Sequence, residues 1–382
     1  MTHVRVLGGA SGAVLGVLAL WHAAGPSTLA AHKTILSKYG YNADVFPILR
    51  DKCGACHVKG GPGPMSLLSY QEAFPWAQAI KEEVLALRMP PLSNVIPADH
   101  FSNVPALSAR EMDVLVDWAN GATPEGEEAR KPATPELSRG WTLGKPDLEL
   151  TAPRDVTLAG GEMSATDEFT LPTASTSDRW LRAVDVQSTA PAMVRAVSVW
   201  LKAAPETPLL FWMPGERPHV MDTQGVRLPA RADLIVRVTY KKTWSYESQT
   251  LKDRTTVALY FHAKPPASAV ETLESRVAPD AGLVFDRDRT LTAIAPQVSG
   301  PAAVASIDVV AELPGGQRQS LVTLTEPQRD WPVRFYFDRP VALSKGSRLV
   351  TTVRPADAAP AVRVWVDTIA ASPDARPTGQ QP

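Results

Sequence analysis

The apolar positions of this chain change their period near residue 130. Before it they recur every three or four residues, as on one face of a helix; beyond it they gather in short runs of β-branched and aromatic residues divided by turns. Val45, Phe46, Ile48 and Leu49 predict a helix leading to Cys53, capped at Asn42 or Asp44, with Pro47 tolerated in its first turn. Phe74, Ala77, Ile80, Val84 and Leu87 predict a second helix over 70–88. Ser108-Ala109-Arg110-Glu111 has capping-box spacing, and Met112, Leu115, Val116 and Ala119 follow it as a stripe that stops at Asn120-Gly121. Trp118 is expected in the core, between this last helix and the first.

Pro124 to Pro135 contains Glu125, Glu127, Glu128, Arg130 and Lys131 without apolar periodicity and reads as a linker. Strands are expected at 194–201, 234–240, 255–261, 306–313, 333–337 and 348–353. Pro314-Gly315-Gly316 and Leu343-Ser344-Lys345-Gly346 are candidate hairpin turns, and Asp286-Arg287-Asp288-Arg289, alternating in sign, reads as a solvated turn. Short strands spread over about 240 residues predict two β-sandwiches rather than one.

Val6 to Trp21 is an apolar run of small residues, with Arg5 the only formal charge before Lys33 and Thr28-Leu29-Ala30 as a cleavage point. That layout predicts a signal peptide. If it is not cut, the segment is an N-terminal anchor, although the run falls short of the roughly 20 residues that a spanning helix needs. Either outcome places the rest of the chain in the periplasm or otherwise outside the cytoplasm, with membrane attachment only through this segment.

The 39 basic and 40 acidic residues give a net charge of −1, so no basic footprint marks nucleic acid as a partner. Proline accounts for 35 residues, about 9% against a usual figure of roughly 5%, which favours loops and strand ends.

Cys53-Gly54-Ala55-Cys56-His57 carries the chemistry. Two thiols three residues apart share one face of a helical turn, so both can bond to one edge of a haem while the next histidine reaches the iron. These are the only two cysteines in 382 residues, so a Cys₄ zinc site lacks its second pair. No βαβ pattern surrounds them to suggest a thioredoxin-like site, although a bare redox pair stays open as the alternative. One covalently bound haem c is the expected cofactor.

Arg88-Met89-Pro90-Pro91 ends the second helix and holds the following chain extended, which can fix the thioether in place. Met89 is the candidate sixth iron ligand, with Met65 and His100 as alternatives. A methionine there can equally fill a gap under the helix end. Gly60-Gly61-Pro62-Gly63-Pro64 reads as a stiff loop whose glycines let backbone approach the porphyrin, or as an ordinary turn. His100 is a candidate partner for a haem propionate or a plain surface histidine.

With these motifs, residues 39–128 resemble the cytochrome c domain that precedes copper type II, ascorbate-dependent monooxygenase-like domains in some bacterial proteins. The shared stretches are Cys53 to His57, Pro64-Met65-Ser66-Leu67-Leu68-Ser69-Tyr70, Ala73-Phe74-Pro75-Trp76-Ala77, Met89-Pro90-Pro91 and Trp118-Ala119-Asn120-Gly121-Ala122. The resemblance implies His57 and Met89 as axial ligands. The β region resembles, more weakly, the paired sandwiches of peptidylglycine hydroxylating monooxygenase. Its cues are Trp180-Leu181-Arg182-Ala183-Val184, Pro214-Gly215, Thr256-Val257-Ala258-Leu259-Tyr260-Phe261 and 343–349.

The chain departs from that family at the copper ligands. Arg195 and Ala196 stand where a His-His pair belongs, Thr239 stands in place of the histidine before Tyr240, and Ala295-Pro296 is followed by Gln297-Val298-Ser299 without histidine. Neither alanine nor a guanidinium replaces an imidazole ligand, so copper is not expected. Only His219 and His262 remain in the β region, and His219-Val220-Met221 makes a poor site for a soft metal. No Gly-x-Ser-x-Gly, His-Glu-x-x-His or phosphate-binding glycine loop is present.

The expected fold class is multidomain α + β, a small all-α cytochrome c domain followed by two antiparallel β-sandwiches. The expected divisions are a signal peptide or anchor (1–30), a mono-haem domain (31–128), a linker (129–145), two sandwiches (146–265 and 266–370) and a disordered tail (371–382). The expected function is electron transfer through haem held by Cys53, Cys56, His57 and Met89, with a redox protein as partner and the β region used for docking or binding. An active copper and haem monooxygenase, and a nonenzymatic haem-containing binding or assembly subunit, are the alternatives.

Overall fold

The computed structural model of the chain describes residues 36–133, 140–277 and 282–371. The expected signal segment and nearly all of the expected tail lie outside the described residues.

Helical turns occupy the chain from residue 41 to residue 120. The first run begins at Tyr41, earlier than expected, because Gly40 is extended and Asp44 reaches back to accept from its N–H at 2.9 Å. Two wide π-type stretches, Tyr41–Val45 and Leu49–Cys53, flank an α turn, Phe46–Ile48. Pro47 has no N–H for the regular ladder, which accounts for the widening. The expected second helix is broken by a tight turn at Pro75 into Tyr70–Ala73, Phe74–Trp76 and Ala77–Leu85. It stops short of Arg88, with Leu87 left-handed at φ 55°. The capping box forms as expected on Ala109–Asn120: Ser108 Oγ accepts from Glu111 N at 3.2 Å, and Glu111 Oε2 accepts from Ser108 N at 2.7 Å. Trp118 is fully buried, 6.1 Å from the Tyr41 ring, and its Nε1 donates to Pro124 O.

The expected fold class is corrected here. The described residues are mostly β-sheet, 39% strand against 17% helix, with four short α-helices and no separate all-α cytochrome c domain. The segment between the helices leaves them to join a sheet. Val95–Ile96 pairs antiparallel with Arg318–Thr325, and Phe101 is buried between Phe335 and Phe337, at ring distances of 5.1 and 5.0 Å. Leu92 and Val104 pack on the same core. Apolar side chains that an all-α domain would keep for itself are therefore buried in the distal β unit.

Each β unit is two sheets enclosing a shared apolar core. In the first, one sheet runs Ser268–Ala269, Gln224–Leu228, Arg179–Gln187, Thr256–Phe261 and Leu148–Thr151, antiparallel except at its Ser268–Ala269 edge. The other runs Ser164–Pro172, Asp233–Lys241, Val194–Leu201 and Ala204–Trp212. Alternation puts Leu234, Val236, Val238 and Tyr240 inward, all essentially without exposure. In the second unit, Val95–Ile96, Arg318–Thr325, Ser306–Glu312, Arg348–Arg354 and Leu283–Val284 form one sheet. Glu271–Arg276, Val362–Ala370, Arg289–Val298 and Phe335–Leu343 form the other.

Two turn expectations diverge. Pro314-Gly315-Gly316 joins paired strands as a hairpin, whereas 343–346 crosses from one sheet to the other. Arg289 is not in a solvated turn: it opens a strand, is 6% exposed and pairs with Glu271 at 2.6 Å.

The two units meet at Trp200, Phe211, Ala295 and Trp365, and the three aromatic rings lie 5.5 Å from one another. Arg334 crosses the junction, bonded to Asp367 at 2.9 Å and to Pro208 O at 2.7 Å. Among the described residues no helix is long and apolar enough to cross a membrane.

Candidate functional site

A cavity of about 860 Å³ lies where the helical turns meet both β units, within the range of about 300–1,000 Å³ typical of cofactor sites. Cys53, Cys56, His57, Met65 and Met89 all border it. His100 does not: it sits exposed on the turn Ala98–His100.

The turn at the motif explains how three functional side chains share one wall. Cys53 O accepts from Cys56 N at 3.1 Å and from His57 N at 2.9 Å, so the chain folds back within one turn of the helix end. His57 Nδ1 lies 3.2 Å from Met65 O; with its proton there, the ring donates to that carbonyl and Nε2 is left bare. Burial holds the imidazole below its ordinary pKa, assisted by the Arg195 charge and opposed by the Met65 bond. Gly63 makes room for the ring, since a Cβ there would stand 2.9 Å from Nδ1. The glycine loop thus cradles the histidine.

Cys53 and Cys56 are unpaired thiols. Burial pushes them up to about 12 and about 11 respectively. A catalytic redox pair depends on a depressed thiol pKa, so this environment disfavours that alternative. Met89 is half-buried beyond the helix end, where its N–H reaches Glu83 O at 3.3 Å and Arg88 forks onto Glu83 at 2.9 and 2.7 Å.

The β units supply the remaining wall. Pro214 O lies 3.4 Å from Cys56 Sγ, and Gly215, left-handed at φ 87°, backs onto Ala55 so closely that a Cβ would lie 2.6 Å from the alanine methyl. Tyr246 Oη touches Gly61 O at 3.5 Å. Glu216 accepts from Asn103 Nδ2 at 3.2 Å and from Met213 N at 3.4 Å; burial raises its carboxyl to about 8, against the pull of those bonds and of Arg334. His219 lies flat on Tyr336, centroids 3.7 Å apart at 6°; the residue is exposed, and the desolvation of its stacked face followed by Arg334 lowers its pKa. Burial raises the Tyr336 hydroxyl.

Sequence reasoning did not find Glu216, Trp331 or Tyr336 as wall residues. Each reaches the cavity from far along the chain, and only the Pro214-Gly215 turn signalled a special place nearby. The positions compared with copper ligands in the sequence hold other contacts. Ala196 and Thr239 are cross-strand partners, Gln297 Nε2 donates to Val333 O at 2.7 Å, and His262 Nε2 lies 2.7 Å from Gln224 O. Among the described residues no three His, Cys, Asp or Glu side chains cluster as a metal site.

Tested against a covalent haem, the residues fit. Two thiols and an imidazole with a free Nε2 border one cavity, Met89 adds a thioether, and Leu49, Leu67, Ile80 and Val84 supply apolar walls.

No family model matches the chain, and no curated protein matches it. Solved structures with some likeness include a recombinant peptide:N-glycanase F, at 10% identity over 60% of this chain and 97% of that one, with a TM-score of 0.27. Another is the major capsid protein P2 of bacteriophage PM2, at 9% identity over 60% and 99%, with a TM-score of 0.23. At such scores these likenesses carry no argument about family, substrate or activity.

Proposed function

We propose that this protein is an exported mono-haem c-type cytochrome that passes electrons to and from a redox protein partner. The observation that carries the reading is the single cavity bordered by Cys53, Cys56, His57 and Met89. Cys53 and Cys56 would hold the haem through thioether bonds, and His57 and Met89 would ligate its iron. Bound there, haem supplies a one-electron iron couple, and histidine with methionine raises its potential and leaves no open coordination position.

The chain's own groups prepare that site. Met65 O fixes the His57 tautomer and ring direction, the role that outer-shell carbonyls play for metal-bound imidazoles. Gly63 admits the ring, and Arg88 with Glu83 ties down the segment that carries Met89. The first β unit sets Pro214 and Gly215 against Cys56 and Ala55 of the motif. A degenerate monooxygenase-like β region would here serve binding and enclosure, without copper.

Protein made in a host that matures haem c should keep an in-gel peroxidase stain after denaturation and show a reduced-minus-oxidised haem spectrum. Absence of the stain rejects the reading. Met89→Ala should erase the weak sulfur-to-iron band of the ferric protein and lower the midpoint potential. An unchanged spectrum excludes Met89 as ligand.

A further inference from the structure

Arg195 is a feature of the cavity that the haem donors leave unexplained. On strand Val194–Leu201 the register places Val194 opposite Tyr240 and Ala196 opposite Thr239, so Arg195 is the extra residue of a bulge. Bulges re-aim side chains, and this one sends Arg195 to the cavity wall. The residue is only 9% exposed. Its guanidinium lies over the Trp331 ring at 5.0 Å, and among the described residues it has no ion pair and no side-chain hydrogen bond. Asp330, the carboxylate whose charge it feels, is itself bonded to Lys241. The other groups within electrostatic reach are the Cys56 thiol and the His57 imidazole.

A guanidinium keeps its charge and offers five donors in a planar fork. Burying it without a counter-charge is strongly unfavourable, and one aromatic face compensates only in part. An anion of matching planarity would compensate it. We infer that Arg195 is a carboxylate-binding residue, forming a forked pair with a carboxylate that lies in the cavity. That carboxylate is either a propionate of the proposed haem or a small free acid admitted beside it, and only the first source rests on the haem reading.

The test compares haem-loaded wild-type protein with R195K and R195M, reading the midpoint potential and the melting temperature with and without acetate. If the carboxylate belongs to haem, R195M lowers the midpoint, R195K lowers it part of the way because it keeps the charge and loses the fork, and acetate changes nothing. If it is a free acid, acetate raises the melting temperature of wild type saturably, less in R195K and not at all in R195M. A midpoint that falls in R195M and is unchanged in R195K means that only a distant charge is felt, which overturns the contact. Equal midpoints in all three proteins with no response to acetate also overturn it. R195K decides alone if R195M fails to fold: wild-type behaviour in both readouts refutes the inference. Protein without haem stain that still shows the acetate effect rejects the haem reading and keeps the anion site.

Discussion

The first β unit and the helical turns bury similar side chains but close their interiors differently. In the β unit, Leu234, Val236, Val238 and Tyr240 mesh with the facing sheet, and the gap at the junction of the two units is only about 30 Å³, room for a water or so. Among the helical turns Leu49, Leu115 and Trp118 are as deeply buried, yet beside them lies the cavity of about 860 Å³. Native interiors are close-packed, and the side chains that line an open cavity of that size lack protein contacts on one side. On the proposed reading haem would occupy that space between the helical turns and the β units. The helices, pieces of nine and twelve residues, owe their helical state to packing more than to propensity.

The largest expected effect tests how firmly the two β units hold the cavity's far wall. Arg334→Ala leaves Asp367 as an uncompensated buried charge and frees Pro208 O, so denaturant unfolding should show a loss of about 3–5 kcal/mol. A loss under about 1 kcal/mol would mean that water reaches the junction.

Next, the two interiors can be compared directly. Leu234→Ala, in the sealed β core, should cost roughly 2–5 kcal/mol with or without haem. Ile80→Ala, at the cavity wall, should cost less than Leu234→Ala in protein made without haem, and the gap should narrow in the haem-bearing protein. Equal costs in both forms would remove the contrast between the two regions.

A subtler probe is pH. Glu216 holds its proton to about 8 in the folded protein, against an ordinary value of 4.5, so the stability it contributes is full below about 4.5 and is lost as pH rises through 8. His219 is lowered from 6.5 but is exposed, so its contribution is small, present above 6.5 and lost as pH falls below it. Between 4.5 and 6.5 the two slopes oppose; between 6.5 and 8 Glu216 acts without His219. Glu216→Gln should therefore flatten the fall in melting temperature between pH 6.5 and 8, and a slope unchanged by the substitution would place the carboxyl in contact with water. Smallest, Ser108→Ala should remove the capping box and cost about 1 kcal/mol, read by denaturant unfolding with loss of helical ellipticity.

Much of the local structure was legible. Ser108 and Glu111 announced their cap because both partners lie within one turn, and strand Val194–Leu201 was marked by its own β-branched residues. The excursion of Val95 and Phe101 into a sheet was not legible, because a two-residue strand has no period of its own and owes its pairing to Leu324. For the same reason an independent all-α domain was expected where the chain instead shares its apolar residues with a β core. Arg289 read as solvated because its partner Glu271 is invisible to a local pattern.

What the sequence determined by itself is short-range: the turn that gathers Cys53, Cys56 and His57, the helix cap, and the alternation that decides which face of each strand is apolar. Tertiary structure alone decided that Met89 shares their cavity, that Glu216, His219 and Tyr336 wall it, and that a bulge points Arg195 into it. The physical reason is separation along the chain. Backbone hydrogen bonds and side-chain periods act over a few residues, whereas a cavity is enclosed by segments far apart in sequence, whose meeting depends on how whole sheets and helices bury their apolar faces.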